Sequence, residues 1–339
     1  MIWRYAGQRL LMMIGILLGV LIVTFALSRI LPGSPVEMML GHRPTQEQID
    51  LVKAQLGMDK SIPVQFFHYV TGVVQGDFGM SLRTRQPVLN DLLERMTATF
   101  ELTTLAVILV IVLGIPLGVY SAVRQNTVGD HITRSFSIAG MALPVFLIGM
   151  ILQMVFYGWL RWLPLQGRMN VEVLLDFPFD RISGIYLLDT LLSGQWQPFR
   201  SAVSHLVLPV LTLSIASLSV VIRITRNTMV EVLSEDFIRT ARAFGLSDRL
   251  VYFRYALKAT LIPMMTVIGL TYGFMLGGSV VVEYVFDWPG LGGYVVGAIT
   301  QNDFPAVMGV TLFLATIYLS INLVVDLLYY VVDPRLRIS

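Results

Sequence analysis

Six segments of this chain contain no Asp, Glu, Lys or Arg, and each is long enough to cross a lipid bilayer. They are Leu10–Ser28, Leu102–Val123, Ser135–Leu160, Ser201–Ile222, Ala259–Val282 and Phe304–Val325. A spanning helix needs roughly 20 mostly apolar residues. Only helices and closed barrels satisfy their backbone polar groups in lipid, and these runs are too long to be barrel strands. The sequence therefore predicts an all-α membrane protein with six transmembrane helices.

The composition favours a membrane protein over a soluble one. Of the 339 residues, 55% are hydrophobic and 14% are charged, and the mean hydropathy is +0.72. Soluble domains carry about 25% charged residues. The chain has too little charge to cover an ordinary globular surface.

The placement of charge predicts which way the helices run. If the amino terminus is cytosolic, the inner segments are Met1–Arg9, Arg124–Arg134, Arg223–Lys258 and Asp326–Ser339. These short segments hold thirteen of the 24 Lys and Arg residues, although the outer segments are together much longer. Because inner loops carry the excess of positive charge, we expect both termini to lie in the cytosol.

The long outer segment after the first helix is predicted to fold. It opens with Pro32-Gly33-Ser34-Pro35, a turn that ends the first helix. Thr45 and Gln48 stand in capping-box spacing for a short helix, with Gly57 as its stop. A second short helix is expected to begin at Pro63.

The inner loop between the fourth and fifth spans predicts a short amphipathic helix. Ser234 can cap this helix, and Gly245 follows its end. One face collects Leu233, Phe237, Ala241 and Phe244, and the opposite face collects Glu235, Arg239 and Arg242. We expect Glu235 and Arg239 to pair at i, i+4. Such a helix can lie on lipid or dock on a partner protein, and amphipathicity alone favours lipid.

The residues of this loop favour a partner protein. The stretch Glu235–Leu246, followed by Leu261-Ile262-Pro263, resembles the EAA loop of permeases in binding-protein-dependent ABC importers. It is specifically similar to the dipeptide, oligopeptide and nickel branch. In that family the loop forms a coupling helix that docks on a cytosolic ATPase. The residues that the resemblance implicates in coupling are Glu235, Phe237, Arg239, Ala241, Arg242, Phe244 and Gly245. Phe244 stands where the family more often has a lysine, so the resemblance implies no salt bridge from this position.

Further motifs of the same branch occur in family order along almost the whole chain. They are Pro32-Gly33-Ser34-Pro35, Gly76-Asp77-Phe78-Gly79-Met80-Ser81, Phe286-Asp287-Trp288-Pro289-Gly290-Leu291-Gly292, Asp303-Phe304-Pro305, Asp326-Leu327-Leu328-Tyr329 and Asp333-Pro334-Arg335. The resemblance implies a type I ABC importer permease fold with an outer elaboration after helix one, as in the first of the two permease partners. It divides the chain into a first transmembrane helix (1–30), a periplasmic elaboration (31–97), a permease domain (98–332) that contains the coupling loop (223–260), and a cytosolic tail (333–339).

The resemblance also implies the function and the partners. The chain is expected to form, with a second homologous permease, the path for di- or oligopeptides that a periplasmic binding protein delivers. Two ATPase subunits are expected to bind ATP and Mg and to drive transport from the cytosol. This chain has no P-loop, and its four histidines are scattered, so we expect no enzyme activity, cofactor or metal here. Its surroundings are the lipids of the cell inner membrane, and no nucleic acid is expected as a partner.

Two further groups of residues are candidates for the transport path. The outer loop is predicted to form a rigid turn at Trp288, Pro289 and Gly290. This turn either contacts the receptor or closes an outer gate; the alternative is a plain hairpin between helices. Polar residues on the fourth and fifth spans either line the path or hold the helices together. These are Thr212, Ser214, Ser217, Thr271 and Tyr272.

Two other classes of function were weighed against the importer. An ion-coupled secondary transporter needs ionisable groups at membrane depth, whereas Glu101 and Glu283 stand just beyond span ends and are interpreted as anchors or interface charges. An intramembrane serine hydrolase would need His205 within reach of a serine such as Ser279. The glycines beside Ser279 are more typical of close helix packing.

Overall fold

The computed structural model describes residues 2–30, 45–55 and 59–332, which are almost entirely helical. In chain order the helices are α1 (Ile2–Ile30), α2 (Gln46–Gln55), α3 (Ile62–Val74), α4 (Val88–Val123), α5 (Val128–Ala142), α6 (Val145–Trp159), α7 (Val171–Asp176), α8 (Tyr186–Leu192), α9 (Trp196–Leu233), α10 (Asp236–Ala243), α11 (Leu257–Val285), α12 (Leu291–Thr300) and α13 (Phe304–Val332). Helix α4 contains a π-helical turn at Val110–Gly114, α6 ends in another at Gln153–Trp159, and a third, Val251–Ala256, leads into α11.

Five of the six predicted spans correspond to single long helices, namely α1, α4, α9, α11 and α13. The sixth predicted span, Ser135–Leu160, corresponds to two shorter helices, α5 and α6, which meet at a bend of 109° and count as a span only when taken together. The cause is Pro144, whose ring disfavours helical geometry in the residue before it. Leu143 accordingly adopts an extended backbone, with φ −88° and ψ 133°.

The other prolines do not break their helices. Pro209 lies inside α9 and Pro263 lies inside α11. Pro116 follows the π-helical turn of α4, a local change of winding that accommodates irregular backbone. Of Pro116, Pro144, Pro209 and Pro263, only Pro144 therefore redirects the chain.

Helix α9 lies at the centre of the bundle and packs against α4, α5 and α11. Two glycines on α4 permit the closest approach. A Cβ on Gly118 would lie 2.9 Å from the carbonyl oxygen of Ile222, and one on Gly114 would lie 3.0 Å from the side chain of Val221. Such small residues one turn apart let membrane helices meet backbone to backbone. The main core forms around this crossing, from residues that include Leu102, Val110, Leu208, Leu213, Val282 and Phe286.

The inner loop is shorter than predicted. Helix α9 continues to Leu233 and α11 begins at Leu257, so both ends of the predicted loop Arg223–Lys258 are helical. Helix α4 likewise begins at Val88, well before the predicted span. The long helices therefore extend beyond their uncharged segments, because charged residues at membrane surfaces do not interrupt a helix.

The outer elaboration contains the two predicted short helices. The amide of Gln48 donates to Thr45 Oγ1 at 3.4 Å and the amide of Thr45 donates to Gln48 Oε1 at 3.0 Å, which confirms the capping box. Helix α3 begins after Ser61 with Pro63 in its first turn, as predicted. The motif Pro32–Pro35, the predicted stop at Gly57 and the tail 333–339 lie outside the described residues.

Candidate functional site

The inner helix α10 is fixed to the bundle by two side chains. Ile238 is fully buried and Ala241 is 6% exposed, and they pack against Val119 of α4, Met229 of α9 and Val251 before α11. Sequence reasoning placed Ala241 on the apolar face but missed Ile238. Its signal is the spacing of three residues from Ile238 to Ala241, which puts both on one stripe of the helix.

Phe237 and Phe244, which the sequence placed on the apolar face with Ala241, are not covered by the bundle. Phe237 is 45% exposed and Phe244 is 81% exposed. Both lie next to the stripe of Ile238 and Ala241 that packs against the bundle. An apolar ring of this exposure is the kind of group that a partner protein buries.

The predicted cap and ion pair of α10 are also wrong. The N-cap residue is Glu235, without a side-chain hydrogen bond. Ser234 instead donates to the carbonyl of Glu231 at 2.6 Å and ends α9. Arg239 pairs with Asp236 at 3.2 Å rather than with Glu235, because Glu235 lies outside the helix and its side chain is not one turn below Arg239. This pair is solvent-exposed and adds little stability.

The glycine after α10 adopts the conformation that the sequence predicts. Gly245 has φ +76°, and its amide donates to the carbonyl of Arg242 at 2.9 Å. The next amide, of Leu246, donates to the carbonyl of Ala241 at 3.3 Å. These two bonds form a Schellman motif, in which a left-handed residue closes the helix end. Gly245 thus sets the direction in which the chain leaves α10.

Short connections join α10 to two long helices. Ser234 alone separates Leu233, the last residue of α9, from the N-cap Glu235. On the other side, the chain enters a short turn at Asp248–Leu250 and the π-helical segment before α11. A force on the exposed face of α10 would be transmitted to α9 and α11 through these connections and through Ile238.

A buried ion pair lies on the same side of the bundle. Arg226 of α9 donates through Nε and Nη2 to the two carboxylate oxygens of Asp130 on α5, at 2.7 and 3.0 Å. Asp130 also accepts from Ser121 at the end of α4 and from the amide of Asn126. Sequence reasoning missed this pair, because nothing in the chain order brings residues 130 and 226 together. It joins α4, α5 and α9 near α10.

At the outer end, a buried carboxylate organises the loop between α11 and α12. Glu283 is fully buried and accepts from Thr99 Oγ1 at 2.7 Å and from the amides of Gly292 and Gly293 at 2.6 and 3.3 Å. The two amides belong to the first turn of α12, where unpaired N–H groups favour a carboxylate. Glu283 is an anchor, as one of the two interpretations of the sequence held.

The outer loop is a rigid turn, but Trp288 is inside the protein. Its side chain is 1% exposed, and Nε1 donates to the carbonyl of Ala98 at 3.0 Å. A Cβ on Gly290 would collide with Glu283 and Thr99, so the turn is packed against α4. Pro289 remains exposed. The predicted contact with a receptor stays a prediction, and within this chain Pro289 offers surface for it whereas Trp288 does not.

Three more acidic side chains are buried in hydrogen-bonded clusters on this side. Glu101 pairs with Arg168 at 2.5 Å. Asp303 accepts from Ser81 Oγ at 2.6 Å. Asp91 accepts from the phenol of Tyr294 at 2.8 Å, and burial raises the pKa of Tyr294, which keeps the phenol a donor. These contacts tie the outer segments to α4, α12 and α13 and occupy the carboxylates in structural roles.

The polar residues proposed for the path fall into two groups. Thr212 and Ser214 are buried and donate to the carbonyls of Leu208 and Val210 in their own helix, and Ser214 also contacts the carbonyl of Ala106 on α4. Tyr272 shares a hydrogen bond with Thr104, at 3.1 Å, and so links α11 to α4. These contacts are those of packing residues.

Ser217 is half-buried, and Thr271 is 6% exposed. Their place in a path stays a prediction.

The residues of the hydrolase alternative are engaged elsewhere. His205 Nδ1 lies 2.7 Å from the carbonyl oxygen of Ser201, and Ser279 donates to the carbonyl of Leu276 at 2.9 Å. Both side chains thus bond to backbone of their own helices, as packing residues do.

Known protein families and individual proteins match nearly the whole chain. Residues 114–338 match the family described as "Binding-protein-dependent transport system inner membrane component", and residues 2–103 match the N-terminal model of the same transport-system membrane components. The chain is 43% identical to "Probable D,D-dipeptide transport system permease protein DdpB" of Escherichia coli K12 over 98% of this chain and 97% of that protein. It is 40% identical to "Dipeptide transport system permease protein DppB" of the same strain over 98% of each chain.

A further relative is named for the transport of a different cargo. "Glutathione transport system permease protein GsiC" of Salmonella typhi is 37% identical over 98% of this chain and 99% of that protein. Among solved structures, a chain of the inward-facing methionine ABC transporter MetNI, in its CY5 native crystal form, is similar with a TM-score of 0.51 and 17% identity. The match covers 71% of this chain and 96% of that one. At this identity the likeness concerns the fold alone.

Proposed function

We propose that this chain, which belongs to the family of inner membrane components of binding-protein-dependent transport systems, forms part of the path by which an ABC importer takes up di- or oligopeptides. In this role it is a transport subunit rather than an enzyme. Its helix α10 receives the movement of cytosolic ATPase subunits, which bind ATP and Mg and hydrolyse the nucleotide.

The peptide substrate is supported by the relatives. Several proteins that match this chain over almost its full length carry dipeptide or D,D-dipeptide transport in their names. Another carries glutathione transport, so the chain shares its architecture with permeases of more than one cargo. We assign the class of small peptides and no single member of it.

The observation that carries the coupling role is that α10 is only partly covered by the bundle. Ile238 and Ala241 anchor one stripe of the helix in the bundle, while Phe237 and Phe244, next to that stripe, remain exposed. A helix lying on lipid would need no such anchor on its protein side and no fixed exit, whereas a helix that transmits force needs both. The bidentate Asp130–Arg226 pair holds α9, to which α10 is joined, against α5.

The partners follow from this mechanism. An ATPase without a membrane segment acts on a path through contact with the inner loop, and two such subunits are proposed to bind below this chain and a second, homologous permease. A periplasmic binding protein delivers the cargo from outside. This arrangement places both termini and α10 in the cytosol, in agreement with the bias of Lys and Arg.

An ion-coupled secondary transporter fits less well. The buried carboxylates Asp91, Glu101, Glu283 and Asp303 are all engaged in hydrogen bonds that fix the outer segments. Membership of a binding-protein-dependent family also argues for ATP as the energy source.

The coupling role is tested by truncating each side of α10 separately. Phe244→Ala removes an exposed ring and should leave the fold intact, yet lower the recovery of ATPase subunits with the purified permease and abolish transport. Ile238→Ala removes a buried side chain and should lower the free energy of unfolding by about 2–5 kcal/mol. Phe253→Ala is the matched control, since Phe253 is 57% exposed on the same side but lies outside α10.

The proposal fails if Phe244→Ala retains its ATPase subunits and transports peptide at the wild-type rate. It fails equally if Phe253→Ala loses the ATPase to the same extent, because the effect would then belong to exposed apolar surface in general.

A further inference from the structure

A second concave site lies between α5 and α9, and its lining includes no residue of α10 or of the outer loop. It is a cavity of about 320 Å³, which we call the arginine cavity. Three guanidinium groups line it, those of Arg134 on α5 and of Arg223 and Arg226 on α9. The two helices run antiparallel here, since Asp130 meets Arg226 while Gly140 lies against Ser219.

The arginine cavity carries excess positive charge. Asp130 neutralises Arg226 through two hydrogen bonds. Within the described ranges, neither Arg134 nor Arg223 forms an ion pair, and both are exposed. One carboxylate therefore faces three guanidinium groups, and two positive charges remain for a ligand.

The cavity is polar at one end and apolar at the other. Ile138 and Met141 lie one and two turns beyond Arg134 on α5, and Ile222 lies one turn before Arg226 on α9. Because the helices are antiparallel, these three apolar side chains lie beyond the arginines in the direction away from the Asp130–Arg226 pair. A ligand that fits this gradient has an anionic group and an adjoining hydrocarbon chain.

We propose that the arginine cavity binds an anionic phospholipid, with the phosphate between Arg134 and Arg223 and the first part of an acyl chain along Ile138, Met141 and Ile222. Guanidinium groups bind phosphate oxygens through paired hydrogen bonds. Basic pockets between membrane helices near the cytosolic surface suit such headgroups. The assignment to the inner leaflet rests on the proposed topology, but the binding itself does not.

The site has a mechanical consequence. Arg226 also holds Asp130, so a headgroup placed beside it would bridge α5 and α9 next to the ion pair that joins them. A bound lipid would thereby stabilise the relative position of these two helices.

The test measures lipid binding to the transporter complex purified in mild detergent. Phosphatidylglycerol and phosphatidylcholine with identical acyl chains are titrated, and bound lipid is counted by native mass spectrometry. The variant Arg134→Gln/Arg223→Gln removes the two unpaired charges and leaves the Asp130–Arg226 pair intact. Two basic contacts correspond to about thirtyfold weaker binding of phosphatidylglycerol.

The matched control is Arg124→Gln/Arg249→Gln, which removes two exposed arginines from the predicted inner segments without touching the cavity. It should change binding less than about twofold. Arg134→Lys/Arg223→Lys keeps the charge but loses paired hydrogen bonding and should fall between the wild type and the Gln variant.

Three results would overturn the proposal. They are equal losses in the cavity and control variants, equal binding of the two lipids, and displacement of phosphatidylglycerol by a dipeptide, which would assign the cavity to the carboxylate of the cargo. Loss of ATPase subunits from α10 variants would leave lipid binding unchanged, so this proposal and the coupling proposal fail separately.

Discussion

Replacing Gly245 with valine probes the end of α10 without creating a steric clash. A Cβ at this position would meet nothing within 4 Å. The cost of Gly245→Val is therefore conformational, because φ is +76° and a residue with a side chain resists the left-handed region. That cost is about 1–2 kcal/mol. Valine is among the least tolerant residues there, because it is β-branched.

The strain is small compared with the stability of the whole bundle, but it is large enough to change the conformation of the helix end. A cost of about 1–2 kcal/mol shifts a local equilibrium by roughly 5- to 30-fold. The chain can relieve it by giving up the bond from Leu246 to the carbonyl of Ala241, which redirects the exit from α10. We therefore expect Gly245→Val to insert and to remain folded, while recovery of ATPase subunits and transport fall by roughly 5- to 30-fold.

The assay is co-purification of the ATPase subunits with the permease, together with peptide uptake in cells. Gly245→Asn should retain most of both, because asparagine tolerates the left-handed region better than other residues with a side chain. Gly194→Val is the matched control. Gly194 has φ +68°, also meets nothing within 4 Å of a built Cβ, and follows α8 in a segment predicted to be external.

The reasoning is refuted if Gly194→Val loses the ATPase subunits as strongly as Gly245→Val does. The loss would then reflect general destabilisation. Undiminished recovery and uptake in Gly245→Val would show that α10 is not the coupling element.

The remaining predictions concern stability, topology and enzymology. Glu283→Gln leaves amide donors of α12 without a carboxylate and should lower the thermal stability of the purified chain by about 1–3 kcal/mol, and an unchanged melting temperature would contradict the anchor role. Asp130→Asn leaves Arg226 without its charged partner and should lower the free energy of unfolding by about 3 kcal/mol or more. Arg9 pairs with Asp326 at 3.2 Å and both side chains are partly exposed, so Arg9→Gln should lower it by less than about 1 kcal/mol. The chain has no native cysteine, so Ser247→Cys introduces a single thiol. It should react with impermeant maleimide only after the membrane is opened, and labelling in intact cells would contradict the predicted cytosolic position of the inner loop. The purified chain alone should show no ATP turnover, and measurable hydrolysis free of contaminating ATPase would contradict its role as a transport subunit.

Much of the fold could be predicted from local sequence. Length and absence of charge mark the spans, since a chain in lipid has no other way to satisfy its backbone. The capping box at Thr45 and the first-turn proline at Pro63 are also local signals. The sharp bend at Leu143–Pro144 could not be predicted from sequence, because a membrane helix can also contain a proline without breaking, as the helices around Pro209 and Pro263 do.

The inner site shows where local pattern stops being sufficient. Periodicity predicted an amphipathic helix ending at Gly245, and the helix is there. It placed Phe237 and Phe244 on the same apolar face as Ala241, and a helical wheel does not show which part of that face the bundle covers. Which apolar side chains are covered depends on where α4, α9 and α11 end, and they cover Ile238 and Ala241 instead.

Local sequence is enough to identify the class of the protein, its helical spans, the helix of the inner loop and the left-handed glycine that ends it. Each of these depends on residues within a few turns of one another. The packing of the helices, by contrast, set the pairing of Asp130 with Arg226 and the contacts of Glu283 with Thr99 and the start of α12. It also decided that Trp288 turns inward. These contacts join residues up to 190 positions apart, and their stability comes from burial, which exists only once the helices have packed.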